Sequence, residues 1–381
     1  MRSSKDVVII GAGVIGLAIG WRALDHGLSV LIVERGQPGQ ETSRVAAGMI
    51  APVSEASPSE PELLALGRAS AALYPGFVDR LQYVAGFDVG YHDCGTLFVA
   101  RDDDERDVLE RELAFRTRLG LPVKRLLPSE ARAVEPALAP TLRLALSIED
   151  DHAVDPRALT GALLAAFERA GGELLTYTQV AAVSIAGDRV GGVELVDGDV
   201  VEAEQVVIAA GPWSGEHFGL PAEAQVPLRP VKGQILALRD PAGPGMLAHV
   251  IRMQPGYLVP RGDGRYVLGA TVEERGFDQS ATAGAVFELL RDATELVPGV
   301  SEWVIEELMV GTRPGTPDNL PILGPSPVLG GLHWATGHHR HGIMLTPLTA
   351  DLVVAGLTGE PLPELAAPTA PGRFNQATVS A

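Results

Sequence analysis

The sequence predicts an interrupted α/β fold, a parallel sheet with covering helices broken by β-rich insertions. Three observations predict it. Near-continuous apolar runs at Val7 to Ile10, Ser29 to Val33 and Gln205 to Ala209 read as strands buried on both faces. The first two flank a helical pattern, as a βαβ unit requires. Between the second and third runs, and after the third, alternating and turn-punctuated stretches point to antiparallel strands.

The first βαβ unit is the most informative. Val7 to Ile10 is followed by Gly11-Ala12-Gly13-Val14-Ile15-Gly16, and then by a helix with apolar residues at Leu17, Ile19, Trp21 and Leu24. Gly27 stops that helix, and Glu34 stands at the end of the second strand. Gly11 permits a tight turn, Gly13 lets backbone approach a pyrophosphate, and Gly16 lets helix and strand pack closely. The helix N-terminus offers N–H groups to phosphates, and Glu34, about 20 residues on, is placed to accept hydrogen bonds from a ribose. This is a Rossmann-like dinucleotide signature in its required context; alone it does not separate NAD from FAD. A secretory signal is the competing reading of Arg2 to Trp21. Asp6 abuts the apolar run, no small-residue cleavage site follows, and a second strand does.

After Glu34, Arg35 to Gly39 is a turn-rich loop, and Thr42 to Met49 is a run of small residues able to lie against a flat ligand. Glu62 to Tyr83 reads as an amphipathic helix, 87–100 as a strand pair and Asp102 to Leu119 as a charged, solvated helix. Ser129 is a candidate cap for a short helix, and Asp155 caps another with Pro156 at its first position. Two Gly/Asp turns, at 187–188 and 197–198, link a β-meander. Gln205 to Ala209 ends in Ala210-Gly211-Pro212-Trp213-Ser214, a break at a strand C-terminus where ligands bind in open sheets. Strands follow at 233–238, 256–259 and 266–270, then a helix at 281–296 and a strand at Glu306 to Val310 that leads into a Pro-Gly turn. Leu332 to Ala335 is a strand, 336–342 a polar loop and Ile343 to Leu357 a helix.

Composition bounds the function. The chain has 381 residues, 46% hydrophobic and 20% charged, which suits about two or three domains' worth of globular core. A formal net charge of −18 argues against nucleic acid and anionic membrane as partners. Cys94 is the only cysteine, so neither an intrachain disulfide nor a cysteine metal cluster is expected. No apolar run reaches the roughly 18 residues that span a bilayer, so a cytoplasmic protein is expected.

The ordered set of motifs carries a resemblance. GAGVIG with Glu34, Thr42-Ser43 with AAGM at 46–49, AAGPWS at 209–214, PVKGQ from Pro230 and YLVPR at 257–261 are followed by GATVEERGFD at 269–278, RPGTPDNLPILG at 313–324 and GHHRHGIMLTP at 337–347. Together they resemble the FAD-dependent amine and D-amino-acid oxidase family, and within it the glycine oxidases of the thiamine-biosynthesis type. The likeness implies a discontinuous FAD-binding domain (1–86, 150–224 and 308–364), a β-rich substrate-binding domain (87–149 and 225–307) and a loose tail at 365–381. It also implies FAD contacts from Gly11, Gly13, Val14, Ile15, Gly16, Glu34, Arg35, Thr42, Ser43, Ala47, Gly48 and Met49, from Val180 and Gly211, and from His338, His339, Arg340, His341, Gly342, Ile343 and Met344. Arg313 would hold the substrate carboxylate, with Tyr257 beside it and Arg340 nearby.

The chemistry implied is hydride transfer from the substrate Cα to flavin N5, with oxygen as acceptor and hydrogen peroxide, an oxo acid and ammonia as products. An amino acid brings a carboxylate, which a planar guanidinium grips bidentately. A neutral amine can form the imine as hydride leaves, so no side-chain acid or base is obligatory. The resemblance implies a homotetramer. It also implies non-covalent FAD, since Cys94 lies outside the position where covalent-flavin relatives attach it. His333, His338, His339 and His341 would suit a metal, but they have no neighbouring cysteine or carboxylate and fall in the flavin loop, so no metal is expected.

Three positions depart from the family pattern: Thr312 where Leu is typical, His339 where Tyr or Phe is typical, and His341 where Asn is usual. Because histidine titrates near neutrality, a pH profile partly set by His339 or His341 is expected. Competing readings are a sarcosine or secondary-amine oxidase, a D-amino-acid dehydrogenase using another acceptor, a non-catalytic flavoprotein that only binds amino acids, and an NAD dehydrogenase.

Overall fold

The structure is a computed structural model that describes residues 4–378, with side chains through residue 374. Its organising element is an eight-stranded sheet whose central strand is Lys5–Ile10. Val30–Val33 pairs with it in parallel on one side and Val200–Ile208 on the other. Glu173–Leu175 and Leu332–Thr336 extend the two flanks, also in parallel, and Ile322–Pro325 closes one edge antiparallel. The strand order, not the strand direction, therefore switches at Lys5–Ile10, and a crevice opens beyond its C-terminal end, where Gly11 begins. Val7, Val8, Ile9 and Ile32 have no exposed surface, as a doubly covered sheet demands.

The helices Val14–Asp25, Pro61–Ala85, Pro156–Arg169 and Thr346–Thr358 build the core on one face. The meander Val180–Ala186 and Arg189–Leu195 joins Val200–Ile208 and covers the other. Asp155 caps its helix as expected, accepting from the Arg157 N–H at 2.9 Å. Ser129 does not cap the short helix Pro128–Val134; Leu127 holds that position, and the Glu130 carboxylate accepts from its N–H at 2.7 Å.

A second eight-stranded sheet, mostly antiparallel, runs in the order Val304–Gly315, Arg229–Arg239, Arg265–Gly269, Tyr257–Pro260, Val250–Arg252, Thr96–Ala100, Leu144–Ile148, Lys124–Leu126. Its edge strand corrects the expected one at 306–310. It runs from Val304 through Gly315 and pairs along its length with Arg229–Arg239. Arg313 is thus inside a strand, opposite Val231, and not in a loop. Pro314 fits because an edge strand tolerates a missing donor.

The loose tail expected at 365–381 needs correction over residues 365–374; residues 379–381 lie outside the described residues. Residues Glu364–Thr369 form a 3₁₀ turn, Thr369 is fully buried, and Arg373 pairs with Asp318 at 2.8 Å and donates to the Leu320 carbonyl at 2.9 Å. No helix among the described residues is long and apolar enough to cross a membrane.

Candidate active site

The crevice deepens into a cavity of about 590 Å³ between the two sheets. Of the residues expected to contact FAD or substrate, every one except Gly16 lines it. Gly16 packs behind, where a Cβ would collide with the Gly11 carbonyl. Gly11 adopts φ +105°, and a Cβ there would stand 2.7 Å from the Ala209 carbonyl oxygen. The turn therefore requires glycine at both places.

At this end the helix Val14–Asp25 points its N-terminus into the cavity with no acidic residue in its first turn. The Val14 N–H donates to Ser43 Oγ at 3.0 Å. The Ile15 N–H has no acceptor within the helix, and Ile15 lines the cavity, which leaves donor capacity and the positive helix end for an anion. Glu34 uses its two oxygens to accept from the Ala12 and Gly36 N–H groups, each at 2.8 Å. A carboxylate has about four acceptor sites, so Glu34 still has capacity for ribose hydroxyls.

The 42–49 segment is held from three sides. Thr42 Oγ1 donates to the Thr312 carbonyl at 2.7 Å. Gly48, at φ +84°, accepts from the Val154 N–H at 2.8 Å. Arg261, the arginine of YLVPR, is buried and donates to the carbonyls of Ala47 at 2.7 Å and Val154 at 3.1 Å. Burial pulls its guanidinium down to about 10, which leaves it protonated at neutral pH. The sequence reading gave Arg261 no task; it braces the small-residue run.

Arg313 and Tyr257 meet across the antiparallel sheet. Burial raises the Tyr257 hydroxyl above its ordinary pKa, and the adjacent Arg313 guanidinium opposes that rise. Arg313 Nη1 donates to the Thr271 carbonyl at 3.1 Å. Among the described residues no carboxylate forms an ion pair with Arg313, although a partly buried guanidinium ordinarily acquires one. A carboxylate from outside the protein is the group that would complete it.

Arg340 lines the same cavity, with its charge already paired within the protein. Its guanidinium donates to Glu55 at 2.9 Å and to Glu60 at 2.7 Å, which opposes a direct grip on substrate. Glu55 also pairs with Arg252 at 3.1 Å. Burial alone would raise the Glu55 carboxyl, but the Arg252 guanidinium, the His341 ring and the Arg340 guanidinium outweigh it and hold it at about 2.

The turn presenting Glu55 is gripped on both sides. Asp151, fully buried, accepts from the Val53 and Ser54 N–H groups at 3.0 and 2.9 Å. Arg116, also buried, donates to the carbonyls of Val53 and Ser54 at 2.9 and 2.8 Å. Sequence reading missed Glu55, Asp151, Arg116 and Arg252, because each acts through partners far away in the chain.

The histidines do not converge. His338 Nε2 bonds Thr349 Oγ1 at 2.9 Å, and His333 Nε2 bonds Gln205 Oε1 at 3.0 Å. Burial pushes His339 to about 4 and His341 to about 3, so both are neutral across the physiological range. This overturns the expected near-neutral titration of either ring. Cys94 does not line the cavity, and burial raises its thiol to about 11.

Residues 6–355 match the model of the DAO family, FAD dependent oxidoreductase. The chain is 38% identical to the glycine oxidase of Geobacillus kaustophilus, over 93% of both chains. It is 35% identical to the bifunctional protein ThiO/ThiG of Synechocystis, over 98% of this chain and 55% of that one. The solved structure of glycine oxidase from Geobacillus kaustophilus superimposes with a TM-score of 0.91 at 34% identity, covering 98% of this chain and 99% of that one.

Proposed function

The chain belongs to the DAO family of FAD-dependent oxidoreductases, and we propose that it is a glycine oxidase that deaminates glycine, sarcosine and small D-amino acids. The observation that carries this reading is the cavity-lining Arg313, which has Tyr257 beside it and no carboxylate of its own among the described residues. The proposed role is to supply the imine of glycine to thiazole assembly in thiamine synthesis, supported by the likeness to a ThiO/ThiG protein. A cytoplasmic homo-oligomer, a tetramer by resemblance, completes the reading; light scattering on the purified enzyme tests the tetramer.

The cradle of Gly11, Gly13 and the Val14–Asp25 helix N-terminus would hold the pyrophosphate of FAD, and Glu34 its ribose. The segments 42–49 and 338–344 would flank the flat ring, which the reading takes as non-covalently held; Cys94, outside the cavity, is not placed to attach it. The chemistry that bound FAD would supply is a two-electron acceptor for the substrate Cα–H bond, with oxygen as the final acceptor and hydrogen peroxide as product.

Arg313 anchors the substrate carboxylate and so fixes where Cα stands, which converts binding into orientation. That contact exists in the ground state too, so its loss acts mainly on KM. Glu55 is held ionised by two arginines and His339 is held neutral, so neither is poised as a base near pH 7. The substrate amine must therefore shed its proton to water before or on binding.

Anaerobic addition of glycine to the purified yellow protein tests the reading. Bleaching, then recovery in air with one peroxide per turnover, is the expected result. A yellow protein that bleaches with sarcosine and not with glycine would make it a secondary-amine oxidase. Bleaching without peroxide would make it a dehydrogenase, and binding without bleaching a non-catalytic flavoprotein.

A further inference from the structure

We propose that Glu273 is a positioning residue that aims Arg313 at the substrate carboxylate, an inference that rests on the reading of Arg313 given above. Two motifs with no assigned task, PVKGQ and GATVEERGFD, meet here. The segment 271–273 lies beside the strand Arg229–Arg239. Lys232 and Glu273 exchange backbone hydrogen bonds, each at 2.9 Å, and the Thr271 N–H donates to the Gln234 carbonyl at 3.3 Å.

The side chains then lock this pairing. Glu273 Oε1 accepts from Gln234 Nε2 and from Thr271 Oγ1, both at 2.7 Å. Thr271 Oγ1 in turn accepts from the Gln234 N–H at 2.9 Å. The other Glu273 oxygen faces Lys232 Nζ at 3.8 Å, and Lys232 is anchored by Asp278 at 2.8 Å. Lys232 and Gln234 have no exposed surface, so these groups have no access to water as a substitute.

The output of the network is one atom, the Thr271 carbonyl oxygen that accepts from Arg313 Nη1. Arg313 has no carboxylate of its own to fix its direction, so that carbonyl, together with the Tyr257 side chain and the Gly233 backbone, sets where the fork points. Gln279 Nε2, donating to Thr312 Oγ1 at 3.1 Å, ties the same loop to the residue before Arg313. Without the Glu273 acceptor, Thr271 is released from its rotamer and Lys232 loses a counter-charge, while the cofactor cradle is untouched.

The test uses FAD-loaded enzyme and the variants Glu273→Leu, Glu273→Gln and Arg313→Ala. Acetate is the carboxylate probe, its binding followed by the change in flavin absorbance. Glu273→Leu is expected to weaken acetate binding and raise the KM for glycine about tenfold, the size of a weakened hydrogen bond to a charged group, with kcat within about twofold. Glu273→Gln, which keeps an acceptor oxygen, should recover most of both. In the double variant with Arg313→Ala, Glu273→Leu should cost nothing further, because it acts through that arginine. Multiplicative losses in the double variant, or unchanged acetate affinity in Glu273→Leu, would overturn the proposal. If Glu273→Leu does not fold, Thr271→Val removes the same link and carries the same expectations. A wild-type enzyme that binds acetate but leaves glycine unoxidised would refute the substrate assignment and leave this test intact.

Discussion

The guanidinium of Arg313 lies across the backbone of Gly233, so close that a Cβ there would stand 2.5 Å from both of its terminal nitrogens. Gly233 pairs with Gly311 on the edge strand; Gly233 leaves the guanidinium room to lie flat, while a Cβ on Gly311 would meet Val45 at 2.9 Å. The glycine of PVKGQ is thus explained by an arginine eighty residues later.

Two variants read this relationship from opposite sides. Arg313→Ala removes a charge-assisted anchor and should raise the KM for glycine by about a hundredfold, while FAD stays bound. Gly233→Ala keeps the arginine but displaces its fork, and should raise KM in the same direction by a smaller factor. Steady-state kinetics alongside the flavin-to-protein absorbance ratio measure both. A Gly233→Ala enzyme with wild-type KM would mean that the fork does not need this seat.

The opposite end of the cavity is tested by the turn at Gly11. A methyl there meets the Ala209 carbonyl oxygen at 2.7 Å, and φ is +105°. Gly11→Ala is therefore expected to purify largely without FAD and to lose thermal stability. A variant that retains stoichiometric FAD would show that the turn can shift without disturbing the cradle.

His339 and His341 are held neutral by burial, with values of about 4 and 3. Between about pH 5.5 and 9 neither changes charge, so both His339→Phe and His341→Asn should leave the pH midpoints of kcat/KM where they are, even if the absolute rates move. A midpoint displaced by half a unit or more in either variant would show that the ring titrates in the working enzyme.

What the sequence revealed and what it hid follow from the range of the interactions. The βαβ unit was legible because glycine spacing, apolar runs and Glu34 lie within one short stretch, and each has a local physical reason. The edge strand was read too short because Pro314-Gly315 signals a turn locally, whereas Pro314 sits opposite Pro230 at a sheet edge where no donor is missed. Glu55, Asp151 and Arg116 were invisible, since Asp151 reaches back nearly a hundred residues to Val53 and no periodicity announces such a contact. The tail looked loose because its anchor, Arg373, finds Asp318 only in three dimensions. The histidines were misjudged for the same reason: an intrinsic pKa is a property of the residue, but its shift belongs to the burial.

That burial makes a final prediction, on stability against pH. His333, His338, His339 and His341 stand near 4, 3, 4 and 3 in the fold, against 6.5 for an unperturbed ring. Below about pH 6.5 the unfolded chain binds protons that the folded chain refuses, so stability falls as the pH drops toward these values. Asp151 opposes this. Burial raises it to about 6 from 3.8, so the folded chain binds its proton first and gains stability as the pH falls between those limits. Glu55, held near 2 against 4.5, adds to the loss once the pH passes below about 4.5. Four rings outweigh one carboxyl, so the net sign is destabilisation by acid. The Tm of the FAD-loaded protein should be level with respect to these groups from about pH 7 to 9 and fall below about 6.5. Asp151→Asn, which removes the opposing group, should make the fall between pH 6 and 4 steeper. A Tm that holds or rises from pH 6.5 to 4.5 would mean that the rings reach water in the folded protein.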